Sequence, residues 1–284
     1  MNRVIYADNL EALRGMASGS VQLVYIDPPF NTGRAQARTM MRTTRDEQGD
    51  RTGFGGRRYR TERAGTIGFD DVYDDYLAFL EPRLRELHRV LAPNGSLYLH
   101  VDPREVHYCK VLLDTIFGRE NFLNEIIWAY DYGGRPSRRW PAKHDNILYY
   151  AKDSRDYVFN ADEIDRIPYM APGLVGPEKA ARGKLPTDVW WLTIVSPTGK
   201  EKTGYPTQKP LRLLERIVRA SCPPAGVVLD CFAGSGTTGV AAHGAGRRFI
   251  LVDHSLAAME VMARRLVGVP TEWIGYDPGS TPTE

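Results

Sequence analysis

Apolar positions along the chain fall into short β-type runs separated by stretches of helical spacing. Val21-Gln-Leu-Val-Tyr-Ile26 is a β-branched run that stops at Asp27-Pro28-Pro29, and it predicts a buried strand with a carboxylate at its C-terminal end. Between Asp74 and Leu91, apolar residues at 76, 77, 80, 84, 87 and 91 keep helical spacing, and Pro82 is expected to kink or divide that helix. Ala92-Pro-Asn-Gly95 reads as a turn and Ser96–Val101 as the next strand. Asp102-Pro103-Arg104-Glu105 then reads as a helix start, with Asp102 as the cap and Glu105 as its reciprocal partner.

The second half alternates more cleanly. Leu211–Ala220 has helical spacing, Val227-Val-Leu-Asp230 is a strand, and Gly234-Ser-Gly236 is a tight turn into a helix through Val240 and Ala242. Phe249–Val252 is a strand ending at Asp253, and Leu256, Met259, Met262 and Leu266 mark the buried side of another helix. Strand, glycine turn, helix, strand and helix in that order predict an α/β fold with a doubly wound, mostly parallel sheet.

Two stretches break the pattern. Residues 34–66 lack hydrophobic periodicity and carry nine arginines against four acids, so a mobile basic loop is expected there. Residues 130–204, with Gly133-Gly-Arg-Pro-Ser-Arg-Arg-Trp-Pro-Ala-Lys143 and Trp190-Trp191, read as a loop-rich insertion. It separates an N-terminal half (1–129) from a C-terminal half (205–284). Core packing is the reading for both tryptophans, and structural roles that for His100 and His107.

At 284 residues, 42% hydrophobic and 25% charged, the chain suits one large domain with an insertion and excludes global disorder. No apolar run approaches the ~18 residues of a membrane span, and Met1–Asp8 is not a signal peptide, so a cytoplasmic protein is expected. Three cysteines make neither a disulfide framework nor a four-thiolate zinc site, and no His/Cys spacing points to a metal. With a net charge of +2, polyanion binding has to come from local clusters.

Two segments carry chemistry. In Phe232-Ala233-Gly234-Ser235-Gly236-Thr237 a glycine turn between strand and helix lets backbone approach a ligand and offers helix N–H groups to an anion. Asp253, ending the next strand, can accept hydrogen bonds from a ribose diol. These features suit an adenosine-containing cofactor, but the spacing is that of neither a dinucleotide fingerprint nor an ATP loop. Asp27-Pro28-Pro29-Phe30 is rich in acceptors, poor in donors, and ends in an aromatic face. It suits an amine on a flat ring, with Asp27 and the Pro28 carbonyl as acceptors and Phe30 stacking. Either segment alone also occurs in plain turns.

In combination they make the sequence similar to the DNA amino-methyltransferases that use S-adenosylmethionine, over nearly the whole chain. Asp27–Phe30 matches the family's catalytic tetrapeptide, Phe232–Gly236 its cofactor loop, and Tyr205-Pro-Thr-Gln-Lys-Pro210 the segment over the methionine end of the cofactor. The catalytic segment precedes the cofactor loop, which is the permuted β-group order. Gly95–Pro103 and Ile116–Gly118 further resemble type III modification subunits and their solitary relatives.

The resemblance implies a Rossmann-like methyltransferase fold with residues 130–204 as a target-recognition region. It implies that Phe232, Ala233, Gly234, Ser235, Gly236 and Thr237 hold the methionine moiety, Asp253 the ribose, Thr207 and Lys209 the carboxylate, and Asp8 and Asn9 the adenine end. Asn9 stands where relatives often have Cys, and Phe30 where they often have Tyr.

Double-stranded DNA is the implied partner and a homodimer the family expectation; no residue pattern speaks for or against a restriction nuclease. Arg34, Arg38, Arg57 and Arg58, with Arg135, Arg138, Arg139 and Lys143, are the expected phosphate contacts. The implied reaction is direct attack by an exocyclic amine of a flipped base, adenine N6 being preferred over cytosine N4. A Pro-Cys nucleophile for cytosine C5 is missing, since Cys222-Pro223 runs in the opposite order. A catalytically silent DNA-binding protein and a methyltransferase acting on RNA or on protein glutamine are the remaining alternatives.

Overall fold

The computed structural model describes residues 1–31, 36–48, 51–52, 58–69, 73, 75–196 and 198–279. In chain order the strands are β1 (Asn2–Tyr6), β2 (Val21–Ile26), β3 (Gln36–Arg45), β4 (Arg51–Thr52), β5 (Arg58–Phe69), β6 (Leu91–Val101), β7 (Phe122–Ala129), β8 (His144–Ala151), β9 (Val189–Trp191), β10 (Val227–Asp230), β11 (Arg248–Asp253) and β12 (Thr271–Ile274). The helices are α1 (Asn9–Arg14), α2 (Tyr76–Val90), α3 (Val106–Phe117), α4 (Pro177–Arg182), α5 (Leu211–Ser221), α6 (Thr237–Gly244) and α7 (Leu256–Arg265).

One nine-stranded sheet runs in the order β12-β1-β11-β10-β2-β6-β8-β7-β9. From β12 to β6 every pairing is parallel; β8 is antiparallel to both of its neighbours, and β9 is parallel to β7. The apolar runs of β2 and β10 are buried on both faces, as the central strands of a parallel sheet require. One face packs Val24, Ile26, Leu97 and Leu99 against α1, α2 and α3. The opposite face packs Leu23, Tyr98 and Val228 against α5, α6 and α7, with Met259 and Met262 fully buried.

From β10 the chain moves to β11 on one side, whereas after β2 it returns as β6 on the other. The sheet therefore has its switch point between β10 and β2, where a crevice opens beyond the strands' carboxyl ends.

Five local expectations change. Pro82 neither kinks nor divides α2, which runs unbroken from its Asp75 cap with Tyr76, Leu80, Leu84 and Leu87 buried. Pro82 removes only the one helical bond to the Ala78 carbonyl, a loss that the buried face of the helix outweighs. Ala92–Gly95 is an irregularity inside β6, not a turn before it: Val21 pairs with Leu91 and Leu23 already with Ser96. Glu105, not Asp102, precedes the first turn of α3, and no side chain caps that helix. The Asp102 carboxylate accepts from the Arg104 amide, and Glu105 accepts from Asn31 Nδ2 at 3.1 Å.

The basic segment is not a plain loop. β3 and β5 form a long antiparallel hairpin, with Gln36 opposite Phe69 and Arg45 opposite Tyr59, and β4 adds to β5. Strand pairing there rests on backbone bonds and on Thr-rich, β-compatible residues, and it leaves no hydrophobic period to read. Nor is the insertion wholly loop: β8 is a full strand inside the main sheet and β9 extends its edge.

Candidate active site

β2 and β10 are hydrogen-bonded neighbours, with Val228 opposite Leu23 and Leu229 opposite Val24. Their carboxyl ends therefore deliver Asp27 and Asp230 to the same edge. A cleft of about 530 Å³ opens there, with Asp27, Pro28, Pro29 and Phe30 on one wall and Phe232–Ser235 on the other. Thr207, Lys209, Thr237, Asp253 and Asn9 line it too. Segments separated by some two hundred positions in sequence thus share one hollow.

Each wall has its own supports. Asn31, at φ 53°, follows the tetrapeptide and ties it down: its Oδ1 accepts from the Tyr73 amide at 3.1 Å while its Nδ2 reaches Glu105. Across the cleft, the Gly234 amide donates to Asp253 Oδ2 at 2.8 Å, and the Ser255 amide donates to Oδ1 at 2.9 Å. Arg265 Nη1 clamps the turn from α7 by donating to the Ser235 carbonyl and to Thr237 Oγ1, each at 2.8 Å. Gln208 holds its own loop, accepting from the Thr203 amide and hydroxyl and donating to the Glu201 carbonyl. Thr207 sits in the left-handed region at φ 57°, an uncommon position for a β-branched residue and one that clusters at ligand sites.

Lys209 lines the cleft and is paired within it. Its ammonium, largely buried, forms an ion pair with Asp27 Oδ2 and lies 5.0 Å from the centroid of the Phe30 ring. Among the described residues nothing donates to Asp27 Oδ1, whereas Oδ2 is held by Lys209, and Asp27 lines the cleft. Beneath Phe30, the fully buried His100 bridges the Tyr25 hydroxyl (2.8 Å) and Asp145 (3.1 Å), and Asp145 also accepts from Tyr130. Burial alone pushes the Asp145 carboxyl up, but the bonds from His100 and Tyr130 carry it below its ordinary range.

Asp8 and Gly236 do not line the cleft. Asp8 caps α1 through the amides of Leu10 and Glu11, and Arg83 engages its other oxygen. Its neighbour Asn9 does reach the hollow, donating to the Cys231 carbonyl at 3.0 Å and accepting from Arg83 at 2.6 Å. Gly236 is the left-handed residue that turns the chain into α6.

Sequence reasoning missed Asp230 and Arg265. Asp230 carried a readable signal, a carboxylate ending a buried strand just before the glycine turn. Arg265 carried none, because its role depends on the return of α7. Asp230 accepts from Thr238 Oγ1 at 2.6 Å and from the Phe232 amide at 3.0 Å. Burial, with the nearby Asp27 and Asp253 charges, pushes its carboxyl up to about 7. Burial likewise raises Asp253.

The folded state therefore holds the Asp230 proton more tightly than the unfolded chain does. This stabilisation is fully present below the ordinary carboxylate value and is lost as the pH rises through about 7. Melting curves of the free protein are expected to fall from pH 6 to pH 8, and Asp230→Asn to flatten that decline; an equal decline in the variant would remove Asp230 as its source.

The basic residues divide. Arg34 and Arg57 lie outside the described residues, and Arg38 belongs to β3. Arg58, Arg138 and Arg139 are exposed. Arg135 is paired with Asp131, and Lys143 Nζ is spent on the carbonyls of Tyr132, Gly133 and Gly134, so it clasps a loop instead of presenting charge. Trp190 is buried against Arg216, whereas Trp191 is 75% exposed and does not belong to the core.

Comparison with known proteins fits this geometry. The family model described as DNA methylase (N6/N4) matches residues 21–264. The type II methyltransferase M.HpaI of Haemophilus parainfluenzae is 29% identical over 97% of this chain and 76% of its own length. The DNA adenine methyltransferase YhdJ of Escherichia coli K12 is 28% identical over 93% and 82%. Among solved structures, TTHA0409 of Thermus thermophilus, complexed with S-adenosyl-L-methionine, superposes with a TM-score of 0.61 at 23% identity, covering 99% of this chain and all of that one. The cytosine-N4-specific PvuII DNA methyltransferase superposes at 0.60 with 14% identity, covering 96% and 95%.

Proposed function

This chain belongs to the N6/N4 DNA methylase family, and from that premise we propose that it methylates the N6 amine of adenine in duplex DNA after the base is turned out of the helix. The observation that carries this reading is the single cleft shared by Asp27–Phe30 and Phe232–Ser235. M.HpaI and YhdJ support site-specific action on DNA, and YhdJ supports adenine.

The residues present fit the methyl donor. S-adenosylmethionine, when bound, supplies an electrophilic methyl on a positively charged sulfur. Asp27, Asp230 and Asp253 put three acidic side chains around such a cation, and a glycine turn offers close backbone approach. We assign Asp253, whose two oxygens accept from backbone amides, to the ribose, and Phe232–Ser235 with Thr237 to the amino-acid end.

Asp27 Oδ1 and the Pro28 carbonyl accept the two amine hydrogens from outside the base plane. This favours the pyramidal nitrogen and stabilises the positive charge that grows on it during attack. Lys209 holds the other Asp27 oxygen and so fixes the carboxylate's orientation. Phe30 stacks on the extruded base, and the proton that the amine loses leaves by way of Asp27 to solvent. Positioning and charge stabilisation supply the acceleration, since the sulfonium is already a good leaving group. Three free, buried cysteines suit a reducing cytoplasm.

Single-molecule sequencing of DNA from a host expressing the protein, with nucleoside analysis of the digested DNA, tests this reading. N6-methyladenine at a defined site is expected; N4-methylcytosine would shift the target amine, and unmodified DNA would overturn the proposal. The phosphate contacts have their own measurement. Replacing Arg58, Arg138 and Arg139 by alanine is expected to flatten the plot of log binding constant against log salt by roughly 2–3, at about 0.9 per phosphate lost. An unchanged slope would place the phosphates elsewhere.

A further inference from the structure

The fourteen residues between β7 and β8 carry a feature that the reaction does not use. Trp140 is 95% exposed, an unusual state for the largest apolar side chain. Its loop is nevertheless braced. Lys143 Nζ clasps three carbonyls at its neck at 2.6–3.3 Å, and the Tyr130 hydroxyl is anchored on buried Asp145 at 2.8 Å. Pro136 and Pro141 restrict the backbone on either side of Trp140.

The loop also stands in the right place. β7 is antiparallel to β8 and β8 to β6, so β7 ends on the edge where β6 and β2 end, which is the edge that carries Asp27. Three strand spacings put its root roughly 14 Å from β2, within the span of such a loop at about 3.3 Å per residue. Arg138 and Arg139, adjacent in sequence, are exposed and have no carboxylate partner among the described residues.

We propose that Trp140 is the wedge that enters the duplex where the target base has left it, stacking on the flanking bases while Arg138 and Arg139 hold the phosphates on either side. This rests on the DNA-methylating, base-extruding reading above. Extrusion leaves a stack with a missing plane, and a rigid, amphipathic indole carried beside two exposed guanidiniums is complementary to that gap. The cationic flank selects a polyanion over an apolar protein surface.

The test uses duplexes bearing the site identified by sequencing, with 2-aminopurine at or beside the target base. Trp140→Ala is expected to lose most of the fluorescence rise that wild type shows on binding and to slow single-turnover methyl transfer about ten-fold, the scale of one lost base-stacking contact. Trp140→Phe should restore most of both signals, and affinity for non-specific duplex should stay within about two-fold. The similarly exposed Trp191, at the end of β9, is the comparator, and Trp191→Ala should behave as wild type. Full fluorescence and transfer in Trp140→Ala, or the loss appearing in Trp191→Ala instead, would overturn the wedge while leaving the methyltransferase intact. A wild-type protein that transfers no methyl group to any duplex would overturn the reading beneath it.

Discussion

Asp27→Ala is expected to slow methyl transfer about 10³-fold, while S-adenosylmethionine binding stays within about three-fold. The carboxylate supplies negative charge at the point where positive charge develops, and the Pro28 carbonyl left behind is neutral. Asp27→Asn keeps an acceptor without the charge, so a loss of about 10²-fold is expected for it. Removal of Asp27 also strands the largely buried Lys209 ammonium, so both variants need a melting curve beside the kinetics. Single-turnover transfer of labelled methyl groups separates the chemical step from binding. Parental rates in a folded Asp27→Ala protein would end the role assigned to this wall of the cleft.

Gly236→Ala carries the second large effect, and it acts on the fold of the opposite wall. Gly236 has φ 71°, and an added Cβ would lie 2.6 Å from Met262 Cγ and 3.3 Å from its Sδ. Left-handed backbone costs an alanine about 1–2 kcal/mol, and overpacking against the buried α7 adds about 1–3 kcal/mol. A combined loss near 3 kcal/mol lowers the melting temperature by roughly 6–12 °C in a domain of this size. Because Gly236 sets the start of α6, displacement also disturbs Ser235 and Thr237, which Arg265 clamps. Cofactor affinity should therefore fall at least about ten-fold, the scale of one or two lost hydrogen bonds. Thermal melts with and without S-adenosylmethionine check both effects, and a variant melting within about 2 °C of the parent would show that Met262 yields freely.

Much of the central sheet could be read from sequence because its strands are continuous apolar runs punctuated by carboxylates. β10 and β11 each end at an aspartate and Asp27 directly follows β2, and those three aspartates are acids of the cleft. What resisted reading has identifiable physical causes. The β3–β5 hairpin pairs through its backbone and lacks a hydrophobic period. β8 was hidden because His144-Asp-Asn-Ile-Leu-Tyr-Tyr-Ala151 opens with three polar residues, and the buried Asp145 and Asn146 find their partners only through the fold.

Lys209 and Asp8, which the resemblance implies as ligand contacts, engage a nearby carboxylate and a helix end in the structure. Asp230 could have been found by extending to it the rule that singled out Asp253. The clamp from Arg265 depends on tertiary return alone, and no local pattern announces it.

The strand order has a bearing on how the molecule is made. β1, which precedes β11 and β12 in the chain, lies between them, and β2 rests on β10. Until residues 227–274 have been synthesised, both strands keep a bare edge of unpaired backbone N–H and C=O groups. Until then the nascent chain carries its catalytic segment without the opposite wall of the cleft, and its bare strand edges are exposed to mispairing. A product truncated before β10 would keep β2, β6, β8, β7 and β9 but lose the Phe232–Ser235 wall of the hollow, so this architecture allows no half-active fragment.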